Sequence, residues 1–330
     1  MRRIIPLLLT ALLLTGCGTG AQDTSSFAPE ESERLVIFTS HKEQVYRPVI
    51  EEFERRTGVW VQLETGGTAT LLDRIAAGES GCDLMFGGGA DSLSAYADCF
   101  APYTSPNAER IAPEYDLGEG GWTPFSLVPI VLIYNPKLVR QNLPESWSSL
   151  LDAGWRGRIA FADPEVSGSS YTALCTFLQV LGGDEETALA AFYRNLDGRL
   201  ISDSGGVVTA VADGSCYIGI TLEENALKAV GEGLDVAIVY PAEGTSVLPD
   251  GAAIVKGCAH EENAQRFLDF LLLPETQESL ADGIGRRSVC RDTPTALPEL
   301  TVVPYDLDRA GRERQSLLAT WRALGGEETA

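Results

Sequence analysis

The chain is poor in the residues that bind zinc or nucleic acid. It contains two histidines, His41 and His260, and none of its cysteines has the Cys-x-x-Cys spacing of a structural zinc site. Positive charge is scarce, because 25 Lys and Arg face 47 Asp and Glu, which gives a formal net charge of -22 at pH 7. Nucleic acids and anionic membrane surfaces attract basic patches, so neither is expected as a partner.

Long apolar runs are missing except at the start of the chain. There, MRRIIPLLLTALLLTGC places two arginines before an apolar stretch that ends in Leu-Thr-Gly-Cys. This pattern predicts a secretory signal, because the stretch is too short for an ordinary spanning helix. Its ending resembles the lipobox of bacterial lipoproteins, which implies a signal peptide over residues 1–16 and a lipid on Cys17. A plain signal peptide is the alternative, and residues 17–33 are expected to form a flexible tether.

Six further cysteines fit an exported protein, because disulfides persist outside the reducing cytosol. Six cysteines allow 15 pairings. Their positions favour the pairs Cys82–Cys99, Cys175–Cys216 and Cys258–Cys290. Buried free thiols are the alternative. No local signature accompanies any of these cysteines, so catalysis by a cysteine and histidine pair is not expected.

Strands and helices alternate after the tether. RLVIFTS, VWVQLETGG and CDLMF are predicted strands, separated by two helical patterns. In the first helix Val45, Val49, Ile50 and Phe53 recur near helical spacing, and Gly58 ends it. Each predicted strand is followed by a short segment rich in Gly, Ser and Thr, as in DLMFGGGADSL. In a parallel sheet these strand ends meet at the edge where ligands bind.

Most of the chain resembles one transport family. The N-terminal lobe of bacterial ABC-importer solute-binding proteins is resembled by one continuous segment, which begins with LVIFTSHKEQVYRPVIEEFERRTG and ends with GGGADSL. Within these, the resemblance is to the ferric-iron, thiamine, phosphonate and sugar-phosphate group. PFSLVPIVLIYNPKLV resembles the strand that crosses to the second lobe. The second-lobe strands and the return crossover are resembled by GSCYIGITLEENALKAVGEGLDVAIVYPAEGTSVLPDGAAIVKG. ENAQRFLDFLLLPETQESLAD resembles the helix pair near the end of such chains.

The resemblance implies an α/β protein with the type II periplasmic-binding fold, in which two crossover segments join two lobes around a ligand cleft. The first lobe is expected over residues 34–127 and 245–283, and the second over 128–244 and 284–330. The implied role is an extracytoplasmic, monomeric binding protein that delivers a small molecule to ABC permease subunits. Presentation of the ligand to a membrane sensor kinase is the alternative. No cofactor or resident metal is expected, and no local motif indicates an enzyme.

Candidate ligand contacts lie at strand ends and helix starts, where bare backbone and helix amides favour a small anion. In the first lobe they are Ser40, His41, Gly66, Gly67, Thr68, Gly88, Gly89, Asp91 and Ser92. In the second lobe they are Ser167, Gly168, Ser169, Ser170, Tyr171, Ser204, Gly205, Thr221, Glu223 and Glu224. Plain turns and helix caps are the alternative for several of them.

Four of these positions have specific expectations. His41 is either a ligand contact or a surface histidine. Asp91 is expected to cap its helix, or to meet an amine on the ligand. Of Glu223 and Glu224, one is expected to face the cleft and bind an amine or metal, and the other to be a solvated cap.

The tyrosines bear on the ligand. Iron-binding members of the family commonly use two adjacent tyrosines, and this sequence has no Tyr-Tyr. Tyr171, Tyr217 and Tyr240 are scattered, whereas ferric iron prefers a set of oxygen ligands such as phenolates. The sequence therefore predicts a small oxyanion, a phosphonate or phosphorylated metabolite, ahead of ferric iron. Ser92 and Ser170 are expected to bind it.

Overall fold

The structure, a computed structural model, describes residues 29–78, 81–117 and 121–327. The predicted signal peptide and Cys17 lie outside these residues. The strands are β1 Arg34–Thr39, β2 Trp60–Thr65, β3 Leu84–Gly89, β4 Thr123–Tyr134, β5 Ile159–Ala162, β6 Leu200–Ile201, β7 Ile218–Leu222, β8 Ala237–Val239, β9 Val247–Ile254 and β10 Arg287–Ser288. The helices are α1 Glu43–Thr57, α2 Thr68–Ala76, α3 Ala90–Ala95, α4 Gly168–Leu181, α5 Glu185–Leu196, α6 Ser204–Ala212, α7 Glu223–Gly231, α8 Glu261–Leu271, α9 Pro274–Ile284 and α10 Leu307–Glu327. Among the described helices, none has the length and apolar character needed to cross a membrane.

Within the described residues, one curled sheet of ten strands runs through the molecule. β1 lies between β2 and β3 and runs parallel to both, so the predicted β-α-β-α-β start is confirmed. β9 pairs antiparallel with β3 and with the first part of β4. The last part of β4 pairs with β7 and β8, and β5 and β6 extend the sheet beyond β7. We call the part built around β1, β2 and β3 the first lobe, and the part built around β5, β6 and β7 the second lobe.

Helix α1 shows how the first lobe forms its core. Val45, Val49, Ile50 and Phe53 make its buried face, as their spacing predicted, and Gly58 ends the helix in the left-handed region at φ 72°. Phe53 is fully buried and packs edge to face on Phe267 of α8, with ring centroids 4.9 Å apart. Burial of one such side chain contributes about 1.5–3 kcal/mol to stability.

The tail of the chain contacts both lobes. Trp321 of α10 is buried in the second-lobe core beside Phe161 and Phe192. Leu307, the first residue of α10, packs against a first-lobe cluster, and β10 pairs with the first part of β4. The exact residues at which one lobe ends and the other begins therefore stay a prediction.

The predicted disulfides are wrong for this structure. The six cysteines other than Cys17 lie in the described residues, and Cys99, Cys175, Cys216, Cys258 and Cys290 carry free thiols, so none of the three predicted pairs is formed. Cys258 and Cys290, for example, belong to different apolar clusters. These cysteines pack as small apolar side chains, and burial raises the pKa of the Cys258 thiol to about 11.

Candidate functional site

A cleft of about 180 Å³ lies where the two lobes meet. It is lined by many of the predicted residues: Ser40, His41, Thr68, Gly88, Gly89, Asp91 and Ser92 from the first lobe, and Gly168, Ser169, Ser204 and Glu224 from the second. The other predicted residues in the described chain do not line it: Gly66, Gly67, Ser167, Ser170, Tyr171, Gly205, Thr221 and Glu223. The lining also includes polar residues that the sequence did not mark: Lys42, Thr172, Asn225, Asp250 and Arg286.

The glycines at the end of β3 make room for a side chain of the protein itself. Gly87 and Gly88 have φ of 109° and 116°, a region that other residues rarely adopt. A β-carbon on Gly87 would lie 2.7 Å from Nε2 of His41. The bare backbone at this corner therefore lets the His41 ring pack against β3.

His41 is buried rather than on the surface, so the surface alternative is wrong. Its side chain is 5% exposed, and its ring packs edge to face on Phe86 and Phe125, with centroids 4.9 and 5.7 Å away. Its Nε2 lies 3.5 Å from Oδ2 of Asp250. Burial lowers the pKa of His41 to about 4, although Asp250 opposes this shift. His41 is therefore neutral at pH 7.

Arg286 is the buried cation of the cleft. It follows α9, and its guanidinium donates to the carboxylate of Glu224, to Oδ2 of Asp250 at 2.7 Å and to Oγ of Ser126 at 3.0 Å. Burial opposes the positive charge, but Glu224 and Asp250 raise the pKa of Arg286 above its ordinary value. Arg286 thus links the first lobe, strand β9 and the second lobe.

Asp250 interrupts the buried strand β9, whose eight residues are all buried. Burial opposes its ionisation, but His41 and Arg286 hold the pKa of Asp250 below its ordinary value. Because His41 is neutral at pH 7, Arg286 supplies the positive charge there. A single Asp inside an apolar strand is the one sequence signal that could have marked this position.

Asp91 binds one backbone amide in the first turn of α3, as the sequence predicted, although the N-cap residue itself is Gly89. It is the second residue of that short helix, and its Oδ1 accepts a hydrogen bond from the backbone N–H of Ser92 at 2.8 Å. Its side chain is buried, and within the described residues its Oδ2 has no hydrogen-bond partner. Burial raises the pKa of Asp91, although the contacts with Ser92 and the charge of Arg314 oppose this shift.

The second lobe offers the start of α4 to the cleft. Ser167 is the N-cap, and its Oγ accepts from the backbone N–H of Ser170 at 3.3 Å and from the Ser170 hydroxyl at 3.1 Å. This leaves Gly168 and Ser169 as the residues of this turn that line the cleft. The hydroxyl of Ser170, which we expected to bind ligand, points to the cap instead.

The backbone amides at the start of α6 already have a hydrogen-bond acceptor within the protein. Oδ1 of Asp203 accepts hydrogen bonds from the backbone N–H groups of Gly205 and Gly206, at 2.8 and 3.1 Å. Asp203 also forms an ion pair of 3.2 Å with Lys42 of the first lobe, so this contact spans the cleft. Ser204 lines the cleft, while Gly205 packs against Lys42.

Glu223 and Glu224 at the start of α7 have different roles. Glu224 faces the cleft and pairs with Arg286, as expected for one of the two. The other glutamate of the two was expected to be a solvated cap, which is wrong for Glu223, because it is 1% exposed and accepts two hydrogen bonds from Arg287 at 2.7 and 2.8 Å. It also accepts from the hydroxyl of Tyr240 at 2.7 Å.

The remaining predicted residues have structural contacts. The buried Tyr171 hydroxyl donates to the carbonyl of Ala310, and Thr221 donates to the carbonyl of Ser204 at 2.9 Å. The amide of Gly66 donates to the carbonyl of Thr39 at 3.1 Å, and Gly67 precedes α2. Across the described chain, no group of three or more His, Cys, Asp or Glu side chains is arranged to hold a metal ion.

Residues 79–308 match the family of bacterial extracellular solute-binding proteins. The chain belongs to this family. This solute-binding protein is 25% identical over 336 residues to an uncharacterized protein of Haemophilus influenzae, covering 94% of each chain. It is 27% identical over 290 residues to iron uptake protein A1 of Synechocystis sp., covering 82% of this chain and 79% of that one.

The fold of this solute-binding protein is also that of solved binding proteins. It is similar to the periplasmic binding protein AfuA from Actinobacillus pleuropneumoniae, solved with fructose-6-phosphate bound, at a TM-score of 0.80 and 24% identity. The similarity covers 87% of this chain and 97% of that one. At this level of identity the likeness shows the fold, and it confirms the predicted two-lobed α/β architecture.

Proposed function

We propose that this chain is the extracytoplasmic binding component of an ABC importer, and that it captures a small oxyanion-bearing ligand by closure of its lobes. The ligand class is a phosphonate or a phosphorylated metabolite. One observation carries this proposal: small donors from both lobes line one cleft, namely Ser40, Thr68, Ser92, Gly168, Ser169 and Ser204. Hydroxyls and the amides at the start of α4 can donate to an anion, and the helix dipole favours it there.

Ferric iron ranks second. The relative in Synechocystis is named an iron uptake protein, which keeps this ligand under consideration. However, hard ferric iron needs several oxygen ligands, and the hydroxyls of Tyr171 and Tyr240 are engaged with Ala310 and Glu223.

Calorimetry tests the ligand class. The protein is titrated with phosphate monoesters, phosphonates and ferric salts, and the variants Ser92→Ala and Ser169→Ala are compared with it. Loss of a hydrogen bond to a charged group should weaken phosphoryl binding about ten- to a hundredfold. Ser94→Ala is the control, because Ser94 lies on the exposed side of the same helix as Ser92. Binding of ferric salts alone, or equal phosphoryl affinities in all variants, would overturn the proposal.

The proposed partners follow from the family. The closed protein delivers its ligand to permease subunits in the membrane, with a sensor kinase as the alternative receiver. We also propose that a lipid on Cys17 holds the protein at the membrane surface.

A further inference from the structure

Two lysines, one from each lobe, make contacts that connect the lobes beside the ligand cleft. Lys42 is the N-cap of α1, and its ammonium lies 3.2 Å from Oδ1 of Asp203, the N-cap of α6. In the opposite direction, the ammonium of Lys228 in α7 donates to the side-chain carbonyl of Gln44 in α1. A cavity of about 280 Å³ lies between these contacts, so they form a separate region from the ligand cleft.

Gly205 provides the space for the Lys42 contact. It is the second residue of α6, and a β-carbon at this position would overlap the ammonium nitrogen of Lys42. It would also lie 3.0 Å from Oδ1 of Asp203. The φ of Gly205 lies outside the left-handed region, so the backbone conformation does not require glycine, which is less favourable than alanine in a helix. The bare position therefore matches the ion pair that reaches it from the other lobe.

Asp203 makes the start of α6 a suitable place for an ammonium group. A helix N-terminus carries partial positive charge, which by itself disfavours a cation. Oδ1 of Asp203 accepts from the amides of Gly205 and Gly206 and also faces Lys42. Burial opposes ionisation, but the Gly206 amide and Lys42 hold the pKa of Asp203 below its ordinary value. Asp203 is therefore ionised at pH 7 and attracts Lys42.

These contacts require the lobes to be close together. Lys42 and Gln44 belong to the first lobe, whereas Asp203, Gly205 and Lys228 belong to the second, so a hinge motion that opens the cleft separates them. Apart from Lys42, none of the five lines the ligand cleft. An interaction that is made only in the closed arrangement shifts the equilibrium towards it, whichever ligand the cleft holds.

We propose that Lys42, Asp203 and Gly205 form a closure latch, in which the ammonium of Lys42 packs against the start of α6 only in the closed protein. Asp203 supplies the opposite charge and Gly205 supplies the space. The latch favours the closed arrangement with or without ligand. It rests on the proposed function only in that closure serves ligand capture, and Gly205 acts as a positioning residue that does not line the ligand cleft.

Small-angle X-ray scattering of the ligand-free protein tests the latch, because opening of the lobes increases the radius of gyration. Gly205→Ala should increase it, since the added methyl group displaces Lys42. Lys42→Ala should also increase it, but it removes the side chain with which the methyl group collides. Gly205→Ala should therefore cause no further increase in a Lys42→Ala background. Such non-additivity between the two lobes distinguishes the latch from an effect within α6, which would persist in both backgrounds.

Two variants serve as matched controls. Gly231→Ala adds a methyl group at the exposed end of α7 in the second lobe, where nothing lies within 4 Å of the new β-carbon. Lys137→Ala removes an exposed lysine that pairs with Asp235 at 2.7 Å and lines neither the ligand cleft nor the cavity beside it. Neither control should change the radius of gyration. Thermal unfolding of each variant establishes that it is folded.

Ligand kinetics provide a second measurement. Any phosphate monoester or phosphonate that binds wild type should dissociate about two- to fivefold faster from Lys42→Ala, the factor that corresponds to one exposed ion pair. Gly205→Ala should also accelerate dissociation, and both controls should match wild type.

The outcomes separate the latch from the proposed function. Equal radii of gyration for wild type and Gly205→Ala would overturn the latch, and so would an effect of Gly205→Ala that is undiminished in the Lys42→Ala background. Equal dissociation rates for wild type and both latch variants would also overturn it. If the scattering differences occur but no phosphoryl compound binds, the ligand class of the proposed function fails and the latch stands.

Discussion

Nη1 of Arg286 donates a 2.7 Å hydrogen bond to Oδ2 of Asp250 inside the cleft. The two side chains are 3% and 8% exposed, and the same guanidinium also donates to Glu224 of the second lobe. Asp250 lies in β9, next to the strand that belongs to both lobes. This ion pair therefore places buried charges of the ligand cleft next to the strands that connect the lobes.

Removal of the Arg286 charge should be strongly destabilising. Arg286→Met keeps most of the side-chain volume but leaves Asp250 and Glu224 buried without their cation, which costs about 3–5 kcal/mol. Urea unfolding at pH 7 measures the loss. Arg140→Met is the control, because Arg140 is exposed and its Nε donates to the carbonyl of Lys137. Equal unfolding free energies for the two variants would contradict this account.

Protonation of His41 should lower the free energy of unfolding in mild acid. Its pKa is lowered from 6.5 to about 4 by burial, so between these values the unfolded chain binds a proton that the folded protein does not. The contribution of His41 to stability is therefore complete above about pH 6.5 and is lost as the pH falls towards 4. From the size of this pKa shift, the loss is about 3 kcal/mol.

Urea unfolding at pH 7.5 and pH 5 measures this effect. In His41→Gln, the difference in unfolding free energy between the two pH values should be smaller by the contribution of His41. The chain has two histidines, so proton NMR can follow each imidazole directly. An imidazole that titrates near pH 4 is the expected observation. Two imidazoles that both titrate near pH 6.5 would show that burial does not control His41.

Local patterns predicted the first lobe well. Helical spacing identified the buried face of α1, and the Gly, Ser and Thr after β1, β2 and β3 indicated the edge where the cleft lies. Such patterns depend on neighbours along the chain. They cannot show which distant charge meets which, and so Arg286, which lies 36 residues after its partner Asp250, was missed.

The same limit explains the errors. Gly88 and Gly89 at the end of β3 were expected to line the ligand cleft, and they do, but the pattern could not show that Gly87 accommodates the ring of His41 from another loop. One of Glu223 and Glu224 was expected to be solvated, but both are buried against arginines that are distant in sequence, Arg287 and Arg286. Cysteine number and compartment favoured disulfides, yet thiols can instead pack in separate apolar clusters, as Cys258 and Cys290 do.

Cys17 should decide whether the protein stays with the membrane. In the full chain expressed in bacteria, wild type should partition into the detergent phase, and mass spectrometry should find a lipid on Cys17. Cys17→Ala should lose both, since an attached acyl chain contributes about 0.8 kcal/mol of membrane affinity per buried CH₂. Cys99→Ala is the control, because Cys99 lies within the folded body as a free thiol. An acylated Cys17→Ala protein would contradict the assignment.

Gly87→Ala should destabilise the protein and disturb the cleft together. At φ 109° an alanine is strained, which costs about 1–3 kcal/mol, and its β-carbon would lie 2.7 Å from Nε2 of His41. Because His41 packs between Phe86, Phe125 and the pair of Asp250 and Arg286, its displacement should also weaken ligand binding.

Gly283→Ala is the control. Gly283 is exposed in α9, and nothing lies within 4 Å of its added β-carbon. Alanine should therefore stabilise that helix by about 0.5–1 kcal/mol. Opposite changes in unfolding free energy for the two variants are therefore expected, and equal changes would show that the end of β3 tolerates a side chain at Gly87.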